Sequence, residues 1–493
     1  MGQPQELMRR AAIIAPMPSL RPFPTLRLMA AILCFTVPAH ALDLPDLGDV
    51  SRTSLSESSE ERIGREIMRQ IRDSGEYHDD PVILEYLNAL GERLGSASPE
   101  PGMRFEFFAV RDPSLNAFAL PGGYIGVHTG LISATRNESE LAGVVGHELG
   151  HVTQHHIARM VDSQKNASVV SMLALAVAIL AARSNSEVTQ AALATSQAYS
   201  MQNQLNFTRE NEREADRVGL QTLTAAGFSP QGMASFFERL QAQGRLYENN
   251  APAYLRTHPL THERIADMQN RVVQMPYQQR EDSLEYLFVR ARVQAEEGEA
   301  QDALRRFEAL VRESGQPGDW YGLAHAALRV NDPKRARAAL EALTPYANRT
   351  PLVALLNGEI LLAANQPREA AAILGAALKR SSGYRPLAYL YARALLRAKR
   401  PADALSFIRD QQQVWASDIR FYTLAAEAHQ ALGQTARSHL SQAEAYVLQD
   451  RVGPAIEQLQ MAQKQRDGDF YTHSIVDARL RELKEIKALE AAK

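Results

Sequence analysis

Apolar positions recur at helical spacing over most of this chain, interrupted by one short stretch with a different rhythm. Two amphipathic helices are predicted over 58–72 and 81–94. Residues 105–110, 116–120 and 124–128 read instead as extended runs, the last two flanking Pro121-Gly122-Gly123, a turn signal. A helix then opens at Asn137, with Glu140 three residues on as a capping partner and a stripe of Leu141, Val144, Val145 and Val152. The chain stays helical almost to its end. Residues 169–182 form a nearly unbroken apolar run of 14, too short to span a bilayer. It fits either a buried helix covering a site or an element touching a membrane.

From about Ser283 the pattern becomes periodic. Ala303, Ala336, Ala370 and Ala404 occupy matching positions, separated by 33, 34 and 34 residues, and Pro333, Pro367 and Pro401 recur at a spacing of 34. That period is the tetratricopeptide helix-turn-helix unit, in which small residues let neighbouring helices approach and proline is tolerated at a helix start. A degenerate pair over 443–449 and 454–463 continues the array. Such solenoids bind through their concave face.

Composition narrows the class. The chain has 493 residues, 45% hydrophobic and 23% charged, which suits several globular domains and excludes a disordered or collagenous protein. Lys plus Arg (54) nearly balances Asp plus Glu (57), so no positive field draws in nucleic acid or an anionic membrane. Arg9, Arg10, Arg21 and Arg27 precede an apolar run over 28–37, and Ala39-His40-Ala41 follows, the pattern of a signal peptide cleaved before Leu42. A membrane anchor would need about 20 apolar residues. Cys34, the sole cysteine, lies inside this run, so the exported chain has neither disulfide nor thiol nucleophile, and no transmembrane span is expected in it.

The chemistry centres on His147-Glu148-Leu149-Gly150-His151. Residues four apart share a helix face, so both imidazoles can reach one metal ion while Glu148 addresses a water as general base. A hydrolytic zinc site wants a third protein ligand. His155 and His156 are poor choices, because eight residues of helix put His155 about 12 Å from His147 along the axis. Gln154 and Ile157 exclude the metzincin pattern. A second helix offers Glu210, Glu212 and Glu214. Glu212 is the best ligand, since it shares a face with Ala215, Asp216 and Gly219, whose small members would let this helix press against the first. Glu210 and Glu214 fall with Arg213 and Arg217 on a charged face. Asp216 either hydrogen-bonds a ligand histidine from behind or is a plain surface charge.

These motifs resemble the HtpX-like and CAAX-prenyl-protease group of zinc metallopeptidases, which join a His-Glu-x-x-His helix to a later Glu-x-x-x-Asp, here Glu212 and Asp216. The stretch Asn116-Ala117-Phe118-Ala119-Leu120-Pro121-Gly122-Gly123-Tyr124 resembles the strand that precedes the metal helix in that group. Approximately 58–275 is covered. The resemblance implies one Zn2+ per chain on His147, His151 and Glu212, with Glu148 as the base. It extends to Thr257-His258-Pro259, where His258 could ligate the metal at rest, donate to the oxyanion, or be merely structural. Residues Asn116 to Leu120, if an exposed edge, could pair with a substrate backbone, while Phe118 could equally be core. The membrane-spanning members' prenylated substrates do not carry over.

The expected fold is therefore α+β, mainly α: a helical zinc metallopeptidase domain with a small β-sheet (58–275), then a solenoid of tetratricopeptide helix pairs (283–480). A signal peptide (1–41) and a linker (42–57) precede these, and a tail (481–493) follows. With an exported start and repeats behind it, the resemblance implies a periplasmic endopeptidase for misfolded or assembling outer-membrane proteins, partnered through its repeats by the barrel assembly machinery. The alternative is a periplasmic chaperone or assembly scaffold with a vestigial or structural metal site. Glu148 separates the two, because a structural site needs no base.

Overall fold

Local signals account for where the helices begin. Helix α1 (Glu57–Asp73) starts at Ser56, whose hydroxyl accepts from Ser59 N–H, and buries Ile63, Ile67, Met68 and Ile71 on one face. Helix α2 (Pro81–Ser96) has proline in its first turn and Asp80 as cap, accepting from the N–H groups of Val82 and Ile83. The computed structural model describes residues 56–163, 209–246, 253–276 and 280–491. The expected signal peptide, most of the linker and the apolar run 169–182 lie outside the described residues.

Strands β1 (Glu106–Val110), β2 (Ala117–Leu120) and β3 (Tyr124–His128) form a sheet in the order β1-β3-β2. The predicted hairpin is β2 antiparallel to β3, with Phe118 opposite Gly126, and β1 runs parallel to β3, with Phe107 opposite Ile125. Gly122 and Gly123 make the turn with φ near +80°, a region open to glycine without penalty. The two sheet edges differ. The side chain of Asn88 bonds both the N–H and the C=O of Phe107, closing β1, whereas β2 pairs on one side only among the described residues.

Helices α3 (Thr129–Ala134) and α4 (Glu138–Thr153) follow directly. Asn137 caps α4 by accepting from Glu140 N–H at 2.9 Å. The Glu140 carboxylate reaches back one residue further than a simple capping box, to Arg136 N–H, and Arg239 clamps it at 2.7 Å. Only Val152 of α4 is not buried, so this is the central helix of the domain. Around it lie α5 (His156–Ser163), α6 (Arg209–Ala225), α7 (Pro230–Leu246), α8 (Ala253–Thr257) and α9 (His262–Gln274).

The repeats begin at Leu284–Glu296 and run in helix pairs to Phe470–Ala491. Ala303, Ala336, Ala370 and Ala404 are each fully buried where paired helices meet, and Pro333, Pro367 and Pro401 each open a helix. The period has a second signature. Asn331, Asn365, Lys399 and Gly433 all adopt positive φ, between 56° and 71°. Each is followed by a bond from the next N–H back to the preceding helix, such as Asp332 N to Ala327 O at 2.9 Å and Gln366 N to Leu361 O at 2.8 Å, the Schellman closure. The helix expected over 443–449 is the end of a longer one, Thr435–Val447. The last helix continues through the expected boundary at 480 and buries Leu483, so the expected tail is mostly helix.

The two parts share one hydrophobic core, continuous from Val82 on α2 to Ala428 in the repeats. Helix α2 and its cap meet the repeats: Arg292 donates to Asp80 at 2.8 Å and Arg385 to Glu85 at 2.8 Å. A cavity of about 1130 Å³ remains beside this contact, lined among others by Tyr77, Asn88, Arg393 and Glu427. No helix among the described residues is long and apolar enough to cross a membrane.

Candidate metal centre

Helix α4 presents His147 and His151 on one face, and α6 packs against that face through small residues. A Cβ on Gly150 would meet Ala215 O at 3.0 Å, and one on Gly219 would meet His147 N at 2.9 Å. The backbones thus touch, which brings Glu212 to within 3.6 Å of His147 Nε2 and 3.5 Å of His151 Nε2. Packing through Gly219 and Ala215 is what the shared face of Glu212 required. Glu210 is exposed, as expected of a charged face, but Glu214 is not simply solvated, since it accepts from His156 and Arg159.

His258 follows α8 directly and enters the same cluster. Its Nδ1 lies 2.9 Å from Glu212 Oε1 and its Nε2 3.6 Å from Glu148 Oε1. One ligand atom from each of His147, His151, Glu212 and His258 lies within 4.8 Å of the others, and all four residues are buried. Asp216 sits behind His147, with Oδ1 3.0 Å from Nδ1, rather than at the surface.

The donor chemistry tests whether a cation fits. His147 Nε2 and His151 Nε2 face each other at 3.0 Å, while the Nδ1 atoms point outward to Asp216 and His156. With protons on the outer nitrogens, the inner pair presents two lone pairs to each other, a repulsion that a shared cation relieves. Both carboxylate oxygens of Glu148 are buried with no hydrogen-bond partner among the described residues. These are the features of a site built for a metal and a polar ligand beside it.

The neighbouring charges act unequally on the groups of the cluster. Burial alone would lower His147, but Asp216 and Glu212 outweigh it and bring the imidazole up to about 9. Burial drives His151 well below the usual imidazole range, against the pull of Glu212. Burial would raise both carboxyls, yet His258, His147 and His151 hold Glu212 well down, and Arg264 and His147 lower Asp216.

Three residues of the centre carry no signal in the sequence that would single them out. Arg264 on α9 binds both oxygens of Asp216 at 2.7 Å, and its Nη1 lies 2.6 Å from Glu212 Oε2. Nothing in sequence couples positions 48 residues apart. Tyr254 stacks on His258 at 4.7 Å and is buried. His156, a poor ligand by its helical position, lies against the outer nitrogen of His151 at 2.9 Å. At the sheet edge, Asn116 is buried and its C=O accepts from His128 N–H. Phe118 packs on Phe108 at 5.8 Å. The Phe118 side chain is therefore core, although its strand is an edge.

A helical domain with a small sheet, a paired-imidazole and carboxylate cluster beside a buried glutamate, and helical repeats behind it define a metallopeptidase with a tetratricopeptide array. The sequence profile of peptidase family M48 matches residues 84–272, and a tetratricopeptide repeat profile matches 361–428. The chain belongs to family M48. It is 37% identical over 333 residues to a "Putative beta-barrel assembly-enhancing protease" of Vibrio cholerae, covering 65% of this chain and 68% of that one. It is 35% identical over 306 residues to the "Beta-barrel assembly-enhancing protease" of Escherichia coli K12, covering 61% and 62%. A "Mitochondrial metalloendopeptidase OMA1" of Schizosaccharomyces pombe is 30% identical over 190 residues, covering 38% and 52%.

Proposed function

We propose that this chain is an exported zinc endopeptidase of the periplasm, acting on misfolded or assembling outer-membrane β-barrel proteins. The observation that carries the peptidase chemistry is the convergence of His147, His151 and Glu212 beside a buried Glu148 whose carboxylate has no hydrogen-bond partner among the described residues. The Vibrio and Escherichia relatives' names support the substrate class, and residues 1–41 support export.

In this reading His147, His151 and Glu212 hold one Zn2+. The bound ion supplies Lewis acidity, polarising the scissile carbonyl and making water a nucleophile near neutral pH. Glu148 takes the proton from the attacking water and delivers it to the leaving amine. Asp216, itself fixed by Arg264, holds the His147 Nδ1 proton and so keeps Nε2 as the donor. His258, whose Nδ1 lies 2.9 Å from Glu212 Oε1, would hold the ion together with these three residues at rest and would have to move aside for substrate. The segment Asn116 to Leu120, whose strand β2 pairs with a single strand among the described residues, receives an extended substrate segment by strand addition. The inner face of the repeats holds substrate or the barrel assembly machinery.

A scaffold with a purely structural metal has no use for a buried carboxylate without hydrogen bonds, which is costly to keep. The test is metal content together with proteolysis of an unfolded outer-membrane protein. We expect one zinc per chain, retained in Glu148→Gln, with cleavage falling by about 10²–10⁴-fold. Undiminished cleavage in Glu148→Gln overturns the mechanism.

A further inference from the structure

Helix α4 ends at Thr153, and His155 adopts a left-handed φ of 50° before α5 restarts at His156. Had the helix run on, five residues at 100° each would have carried His156 about 140° around from His151. The left-handed residue turns it back instead, so that the two rings meet with centroids 4.9 Å apart and Nδ1 facing Nδ1 at 2.9 Å.

A contact between two imidazole nitrogens requires one proton, on one side only. The other nitrogen of His156, Nε2, faces Glu214 Oε2 at 3.1 Å, and Arg159 donates to that same oxygen at 2.9 Å. Glu214 is thereby kept as a carboxylate and can only accept, so His156 carries its proton on Nε2 and offers a bare Nδ1. The shared proton then belongs to His151 Nδ1. The lone pair of His151 is left on Nε2, the atom turned toward His147 and Glu212.

We propose that His156 is a positioning residue: through Arg159 and Glu214 it fixes the tautomer and ring orientation of His151, as Asp216 and Arg264 do for His147, and so tightens metal binding. This rests on the reading of the cluster as a zinc site. Each ligand imidazole thus has its own relay, one buried and ending on α9, the other half-exposed and ending on α5.

The test is the Zn2+ dissociation constant of the full chain, measured by chelator competition, with folding checked by circular dichroism. His156→Ala is expected to weaken zinc by about 10–100-fold, the usual effect of losing such a partner. His156→Asn places Oδ1 where Nδ1 stood, keeps an acceptor for His151, and should stay within about threefold of wild type. Glu214→Ala, on the exposed side of the relay, should weaken zinc by roughly tenfold and decides the matter if His156→Ala does not fold. Unchanged affinity in His156→Ala, or a loss in His156→Asn equal to that in His156→Ala, overturns the relay while leaving the zinc site standing. Absence of stoichiometric zinc from wild type overturns the zinc site, and the relay with it.

Discussion

Two clusters of charge among the described residues, one half-buried at the junction with the repeats and one fully buried at the metal centre, differ in whether they are complete. At the junction with the repeats, Arg292 donates to Asp80 at 2.8 Å, to His325 at 3.0 Å and to Glu359 at 3.1 Å. The second oxygen of Asp80 caps α2. Each charged group there is engaged by another side chain or by backbone. Around His147 and His151, by contrast, two Nε2 atoms face each other at 3.0 Å and Glu148 has no hydrogen-bond partner among the described residues. The closed cluster has nothing to offer an added ion. The open one has the donor set to take a cation. Burial of charge alone therefore does not mark a candidate site; converging metal donors beside a buried carboxylate without hydrogen bonds among the described residues do.

The closed cluster also follows the repeat. Arg292, His325 and Glu359 are spaced 33 and 34 residues apart, so successive helix pairs present them side by side. Asp80 from α2 docks at the head of that row. A buried ion pair is a weak source of stability but costly to break, so this cluster acts chiefly as a lock on the position of α2 against the repeats.

The largest expected effect tests that lock. Arg292→Ala strands the buried carboxylate of Asp80 and the half-buried one of Glu359 and should cost about 3 kcal/mol in urea unfolding, with zinc affinity unchanged. A loss under about 1 kcal/mol would remove the distinction between the clusters. Acid probes the same place more gently. Burial and the neighbouring Arg292 hold His325 well below the usual imidazole range, so it stays neutral while an unfolded chain protonates near 6.5. The unfolded state then binds more protons, and stability is full above pH 6.5 and falls as the pH drops below it. Between pH 6.5 and 5, wild type should lose about 2 kcal/mol more than His325→Gln. The third test contrasts two aspartates. Asp216→Asn should weaken zinc about 10–100-fold, whereas Asp80→Asn should cost stability and leave zinc binding alone. A shift in zinc affinity with Asp80→Asn would mean that the two clusters communicate. The smallest effect is a control lying in neither cluster. Lys399 occupies the left-handed turn position that Asn331 and Asn365 fill in earlier repeats, so Lys399→Asn should stabilise by a few tenths to about 1 kcal/mol and move neither readout.

Much of the metal centre is legible in the sequence. The spacing of His147 and His151 sets one face of α4, and Glu212 stands out because Ala215 and Gly219 share its face, the contact that the packing against Gly150 and Gly146 uses. The alanine and proline periods locate the repeats. His156 escapes a sequence reading because a continuous helix carries it away from His151, and no local rule demands a left-handed residue at His155. Phe118 stays open in the sequence because alternation alone does not say which face of a strand is covered.

What the chain determined by itself is what backbone geometry determines within a few residues: helix faces, caps, the sheet's turn and the period of the repeats. Tertiary structure alone decided that Arg264 clamps Asp216, that Asp80 meets Arg292, and that one cluster of charge is closed while the other stays open. Those contacts join residues tens to hundreds of positions apart. They depend on how whole helices seat against one another, which the packing of many side chains sets together and no short stretch encodes.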